Sequence, residues 1–166
     1  MRSTIHWSLA GLAWAAATVS PALARCADPA DRAVFDVVGL KSEMMVLAIS
    51  CKRGDDYNAF VNKYRALLTK ADADLGKYFA RVYGKAAGQR QQDAYVTALA
   101  NGQANEGSRL GSDFCPRNSV MFDEVKSVST EVELAAFAAG KDVVPEVPGA
   151  CAGQTASAAT PAAKKR

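Results

Sequence analysis

Histidine and tryptophan are almost absent from this sequence. Its one histidine, His6, and both tryptophans, Trp7 and Trp14, lie among the first 24 of 166 residues. Without that segment the chain cannot perform Ser-His-Asp or Cys-His catalysis, and it cannot hold a metal ion through histidines. The sequence also lacks a glycine-rich phosphate-binding loop and an internal repeat. These absences remove the usual signatures of nucleophilic enzymes, histidine metal sites and nucleotide-binding proteins.

The segment that holds these residues has the pattern of a secretory signal peptide. Arg2 precedes an apolar run over positions 5–19, and Ser-Pro-Ala-Leu-Ala at 20–24 closes the run with an Ala-x-Ala site. The run is too short for a permanent anchor, which needs about 20 apolar residues. We therefore predict a signal peptide over residues 1–24, a periplasmic or secreted protein, and no membrane span after cleavage.

Lipidation is the alternative fate of this N-terminus. Cys26 follows Leu-Ala-Arg, which resembles the lipobox of bacterial lipoproteins. The residue before a lipobox cysteine is normally small, however, and here it is Arg25. Cleavage after Ala24 without lipidation is our prediction, and it leaves a mature chain of 142 residues.

The charge of the mature chain is close to neutral. Removing Arg2 lowers the formal net charge from +3 to +2, and the last three residues, 164–166, carry three positive charges, so residues 25–163 sum to −1. No basic cluster suited to phosphates remains, so we predict no nucleic acid partner. Residues 152–166 are rich in alanine and predict a disordered basic tail. The folded domain is then expected over residues 25–151.

Four cysteines remain after cleavage: Cys26, Cys51, Cys115 and Cys151. An even number behind an export signal predicts two disulfides. Four thiolates can also bind zinc, but structural zinc sites usually use close pairs, and here the nearest two are 25 positions apart. We therefore predict disulfides, with no metal and no cofactor.

Apolar residues recur at steps of three and four along most of the domain, which predicts an all-α protein. After the last helix, valines and prolines over 141–148 predict an extended strap. The predicted helices span 29–51, 55–83 and 89–112, followed by one that begins at Pro116 and one that runs from a Thr130–Glu133 capping box to Gly140.

The ends of the first two helices carry recognisable signals. Asp28 and Pro29 suit the first turn of the first helix, and Gly54 is the expected stop. Gly84 is expected to end the second helix, before a short connector that runs to Gly88.

An up-and-down bundle of four to five helices is the predicted architecture. In such a bundle the ends of the first and third helices lie at the same pole, which brings Cys51 to Cys115. Cys26 precedes the first helix and Cys151 follows the strap, so these two are expected to pair at the other pole.

A candidate pocket centres on Glu43, which lies beside the apolar seam of the first helix and would need a cation or tyrosine partner if buried. Tyr57, Tyr64 and Tyr78 form a stripe along the second helix whose hydroxyls could line the same pocket. The alternative is that these tyrosines belong to the core with their hydroxyls at its rim.

The third helix offers a candidate contact face for a periplasmic protein partner. It has the weakest apolar seam and is rich in amides, which can donate or accept hydrogen bonds without the desolvation cost of a charge. A solvated surface is the alternative interpretation. The candidate residues are Gln89, Gln91, Gln92, Asn101 and Asn105.

The chain resembles small secreted helical proteins of alphaproteobacteria that have no assigned activity. The resemblance lies in a first helix ending at Cys51, the run Tyr-Asn-Ala-Phe-Val at 57–61, and Phe-Cys at 114–115. It implies a secreted helical fold and transfers no site. Disulfide-bonded periplasmic acid-stress chaperones are similar in form, but they are shorter and use one disulfide.

Three functions follow from these observations. The first is a non-catalytic binding, adaptor or envelope stress-protection protein, because no set of catalytic residues converges. The second is a small helical enzyme or ligand carrier that uses Glu43 and the tyrosines. The third is a secreted inhibitor or immunity-type protein.

Overall fold

The computed structural model describes residues 27–144 and 147–148. These residues form helices and no strand, which confirms the all-α prediction. None of the described helices is long and apolar enough to cross a membrane. The helices are α1 (Pro29–Cys51), α2 (Gly54–Lys63), α3 (Arg65–Tyr83), α4 (Lys85–Leu110), α5 (Phe114–Asn118), α6 (Val120–Ser127) and α7 (Glu131–Lys141), with one 3₁₀ turn (Gly111–Asp113) before α5.

Helix α1 is central and packs against α2, α3, α4, α5 and α7. Its start is the predicted one. The Asp28 carboxylate accepts a hydrogen bond from the Asp31 N–H at 2.8 Å, and the Asp31 carboxylate accepts one from the Asp28 N–H at 3.0 Å. This reciprocal pair, with Pro29 in the first position, satisfies N–H groups that a helix start leaves free. The fully buried side chains of α1 are Phe35, Leu40, Met44 and Leu47.

The predicted stop of α1 at Gly54 is wrong. Lys52 adopts the left-handed conformation (φ 56°) and its N–H bonds to the carbonyl of Ala48, while Gly54 begins α2. Only Lys52 and Arg53 connect α1 to α2, and the left-handed residue is the one directly after Cys51. A glycine three positions later comes too late to serve as the cap.

The single helix predicted over 55–83 is divided at Tyr64, where φ is −110° and ψ is 23°. Tyr64 still takes part in the hydrogen bonding of both helices, because its N–H bonds to Phe60 C=O at 3.1 Å and its C=O accepts from Leu68 N–H at 3.0 Å. The Tyr64 hydroxyl donates to the carbonyl of Val128 at 2.6 Å, beyond the end of α6. This contact lies 64 residues along the chain, so the local periodicity does not contain it.

Gly84 ends α3 as predicted, with φ 80°, but the predicted connector to Gly88 is wrong because α4 already begins at Lys85. Gly88 is buried against α3. A Cβ atom at Gly88 would lie 2.7 Å from the carbonyl carbon and oxygen of Phe79 and 2.8 Å from the Ala80 nitrogen. The glycine therefore permits a close approach of two helices and does not form a loop.

The predicted disulfide between Cys51 and Cys115 is confirmed, with Cα atoms 5.5 Å apart. It joins the end of α1 to the start of α5. The predicted fourth helix is in two pieces, because a bond from Phe122 N–H to Ser119 C=O at 3.1 Å tightens the chain between α5 and α6. The signal peptide (1–24), the Cys26–Cys151 pairing and the tail (152–166) lie outside the described residues.

Helix α7 begins at the predicted capping box, in which the Thr130 hydroxyl accepts from the Glu133 N–H at 3.1 Å. It continues one residue past the predicted stop at Gly140 and ends with Asp142 in the left-handed conformation. Lys141 is held in the last turn by the Glu124 carboxylate at 2.5 Å. Val144 and Val147 of the following strap are buried against the core.

Aromatic rings from three helices fill the centre of the bundle. The ring of Phe35 packs edge to face against Tyr78 (centroids 5.0 Å apart), Tyr95 (5.1 Å) and Phe79 (6.0 Å). The Tyr78 hydroxyl leaves this cluster and donates to the carbonyl of Pro148. These aromatic contacts hold α1, α3 and α4 against one another and so fix the surface between these three helices.

Candidate functional site

An open groove lies between α1, the start of α2, α3 and α4, with a cavity volume of about 440 Å³. A volume of this size falls within the range of small-molecule sites. Apolar side chains from three helices form part of its wall, and Val96 is 37% exposed there. The apolar lining residues are Val38, Met45, Leu75 and Val96.

The polar side chains of the groove lie on the same helices. The Lys41 ammonium and the Asp72 carboxylate form an ion pair at 2.5 Å. Burial raises the pKa of the Tyr57 hydroxyl, which Lys41 opposes and Asp72 reinforces, so this hydroxyl stays protonated at neutral pH. The remaining polar lining residues are Ser42, Gln92, Asp93 and Thr97.

The Gln103 side-chain amide of α4 forms hydrogen bonds with α1 next to the groove. The Ser42 hydroxyl donates to the side-chain oxygen of Gln103 at 2.6 Å, and the Gln103 amide donates to the carbonyl of Gly39 at 3.2 Å. The candidate residues drawn from the sequence did not include Gln103. Its spacing of four from the buried Leu99 was the available signal.

The residues of the predicted pocket do not converge. Tyr57 lines the groove, whereas Tyr64 lines a separate cavity of about 90 Å³ beside Phe122. Tyr78 lies in the aromatic core. Glu43 lines neither cavity. The break at Tyr64 explains part of this separation, since residues on either side of it no longer share one straight seam.

Glu43 is half-buried, and within the described residues it forms no ion pair or hydrogen bond. Burial raises the pKa of its carboxyl, and the neighbouring Glu106 carboxylate raises it further. Glu106 itself is paired with Arg109 at 2.8 Å. The position therefore brings two acidic groups together, where the sequence suggested an acid beside a cation or tyrosine.

Replacing Glu43 with glutamine is expected to stabilise the protein at pH 7 by on the order of 0.5 kcal/mol. The fold raises the pKa of Glu43, so the contribution of this carboxyl to the free energy of unfolding is fully present below the unfolded pKa. That contribution is lost as pH rises through the folded pKa. Urea unfolding of wild type and E43Q at pH 7 and pH 4 gives the difference between their free energies of unfolding. This difference should be smaller at pH 4 than at pH 7.

Asp74→Asn is the control of opposite sign. Hydrogen bonds from Lys70 and Lys77 lower the pKa of Asp74 to about 2, so its contribution is present at neutral pH and is lost as pH falls through that value. D74N should therefore destabilise at pH 7. A loss of stability in E43Q at pH 7 would contradict the assignment of Glu43 as an unfavourable buried carboxylate.

The five residues of the predicted contact face occupy different sides of α4. At 100° per residue, Gln91, Asn101 and Asn105 lie within about 80° of one another, and all three are exposed. Gln92 projects to the other side, where it lines the groove and lies against Gly76 of α3. Gln89 is exposed near that second side.

Tyr95 holds an unsatisfied hydroxyl. Its oxygen is buried and has no hydrogen-bond partner in the described part of the chain. Burial raises the pKa of Tyr95 to about 12, with Arg32 lowering it and the buried Asp36 raising it. The Arg32 guanidinium donates to the Asp36 carboxylate at 3.2 Å, so these two charged groups pair with each other and not with the Tyr95 hydroxyl.

Tyr95→Phe is expected to leave the free energy of unfolding unchanged or to raise it slightly, because it removes a buried polar atom without a partner. The matched variant is Tyr64→Phe, whose hydroxyl donates to Val128 at 2.6 Å. Y64F should lose about 1 kcal/mol. Chemical unfolding followed by circular dichroism compares the two, and an equal loss in both would contradict the assignment at Tyr95.

Within the described residues, no group of three or more histidine, cysteine, aspartate or glutamate side chains could hold a metal ion. Comparisons with known proteins do not assign the chain to a class of protein either. No family model, no curated protein and no solved structure matches the chain. The groove is therefore the candidate site that the geometry itself defines.

Proposed function

We propose that the chain is an exported, non-catalytic binding protein that holds a small ligand in the groove between α1, α3 and α4. The observation that supports this is the cavity of about 440 Å³ with mixed polar and apolar walls. Its openness to solvent suits reversible binding better than chemistry that requires exclusion of water. The alternative of a small enzyme or ligand carrier placed its site at Glu43 and the tyrosines, and of those residues only Tyr57 lines the groove.

Export is the first part of the proposal and is tested by mass. The signal-peptide pattern and the Cys51–Cys115 disulfide both suit an oxidising compartment. Intact-mass measurement of the exported product should give a chain that begins at Arg25. A product that retains Met1, or one with lipid on Cys26, contradicts this part.

Ligand occupancy is the second part. The protein is purified natively from the periplasm, unfolded, and the released small molecules are identified by mass spectrometry. Val96→Trp fills the groove from α4, and Val132→Trp is the matched control because Val132 is 80% exposed on α7 and does not line the groove. Wild type and V132W should release the same compound, and V96W should release little of it.

Two outcomes would count against this second part. Equal release by V96W and V132W would remove the groove as the site, provided that both variants unfold at the same temperature as wild type. Conversion of the compound during incubation with purified protein would favour the enzyme alternative over a binding protein.

A further inference from the structure

We propose that the groove selects a small organic cation, an amine that carries a short aliphatic body. This inference rests on the proposed function and names the ligand class for the same site. It is argued from the charges, the apolar wall and the helix register that surround the cavity.

The charges of the groove do not balance. Lys41 is engaged by Asp72 at 2.5 Å, which leaves Asp93 of α4 as a second carboxylate. Within the described residues Asp93 forms no ion pair, not even with Arg90 one turn earlier on α4. The ionisable lining therefore carries one positive and two negative charges while the Tyr57 hydroxyl is neutral. A cationic ligand completes this set and an anionic ligand opposes it.

The groups beside Asp93 suit an ammonium. Asp93 and Thr97 are four residues apart on α4, so they lie on the same face of the helix. A primary ammonium donates three hydrogen bonds, and a carboxylate and a hydroxyl on one face supply acceptors for them.

The apolar wall supplies the other half of the site. Val96 lies beside Thr97 on α4, and Met45 and Val38 face the cavity from α1. A fully hydrated inorganic cation gains nothing from these side chains, whereas an aliphatic chain buries area against them. The ligand therefore combines one positive charge with an apolar body.

Three probes with six carbon atoms each separate charge from apolar contact: hexylamine, hexan-1-ol and hexanoate. They are titrated into the mature oxidised protein and followed by NMR of the methyl groups of Met45, Val96 and Thr97, because fragments of this size bind with Kd on the order of 1 mM. Hexylamine should shift these signals saturably, hexanol about ten-fold more weakly, and hexanoate more weakly still.

Two variants locate the charge. Asp93→Asn should weaken hexylamine binding about ten-fold and leave hexanol binding unchanged. Asp55→Asn is the matched control, since Asp55 is exposed on α2, forms no ion pair within the described residues and does not line the groove. It should bind hexylamine as wild type does. Thermal unfolding of both variants checks that the fold is intact.

Several results would overturn the ligand class. Equal binding of hexanol and hexylamine means that charge does not select, and tighter binding of hexanoate means that Lys41 defines an anion site. Unchanged hexylamine binding in D93N removes Asp93 as the recognition group. No methyl shift with any probe also overturns the inference. The proposed function is judged separately, since V96W still loses its compound in the extraction experiment if the groove holds a ligand of another class.

Discussion

Replacing Cys51 and Cys115 together with alanine is expected to lower the free energy of unfolding by about 4 kcal/mol. The disulfide closes a loop whose ends are 64 residues apart, so it removes many conformations from the unfolded chain. It also joins the end of α1 to the start of α5. A marginally stable domain cannot lose this amount without a large shift of its unfolding transition.

Circular dichroism at 222 nm is the suitable probe, because residues 25–166 contain no tryptophan. Urea unfolding of the wild type and of C51A/C115A is measured with and without a reductant. The two proteins should differ under oxidising conditions and approach each other once the Cys51–Cys115 disulfide of the wild type is reduced. Equal midpoints under oxidising conditions would contradict the stabilising role of this bond.

The features that were predicted from sequence depend on short stretches of chain. The helix start predicted at Asp28 and the capping box predicted at Thr130 each depend on residues within one turn, and both are confirmed. The stop at Gly84 is equally local. The Cys51–Cys115 pairing was also predictable, because it follows from helix order and direction once the helices are known.

The features that were missed depend on contacts between distant parts of the chain. The break at Tyr64 accompanies a hydrogen bond to Val128, and the seam of α2 and α3 alone does not reveal it. The same limit applies to the candidate site. Periodicity grouped Tyr57 with the other tyrosines, whereas the groove pairs it with Lys41 and Asp72 from neighbouring helices.

At Gly88 the sequence and the structure predict different effects of an alanine substitution. Glycines around residues 84–88 predict a loop, in which alanine would be tolerated. In the fold Gly88 lies inside α4 with its Cα facing the backbone of α3. The Phe79 carbonyl cannot move aside as a flexible side chain could, so an added methyl group forces the two helices apart.

Gly88→Ala is therefore expected to destabilise the protein by about 2 to 3 kcal/mol, because the clash exceeds the gain in helix propensity. Gly102→Ala is the matched control on the same helix, where an added Cβ meets no atom within 4 Å. G102A should stabilise by about 1 kcal/mol.

Opposite signs in the two variants would isolate the contact of α3 with α4 from the general preference of a helix for alanine over glycine. Urea unfolding at pH 7 gives both values from the same measurement. If G88A were also stabilised, the backbones of α3 and α4 would have to lie further apart than the 2.7 Å contact requires. The groove between these helices would then be wider as well, which would change the geometry from which we propose that Asp93 selects a cationic ligand.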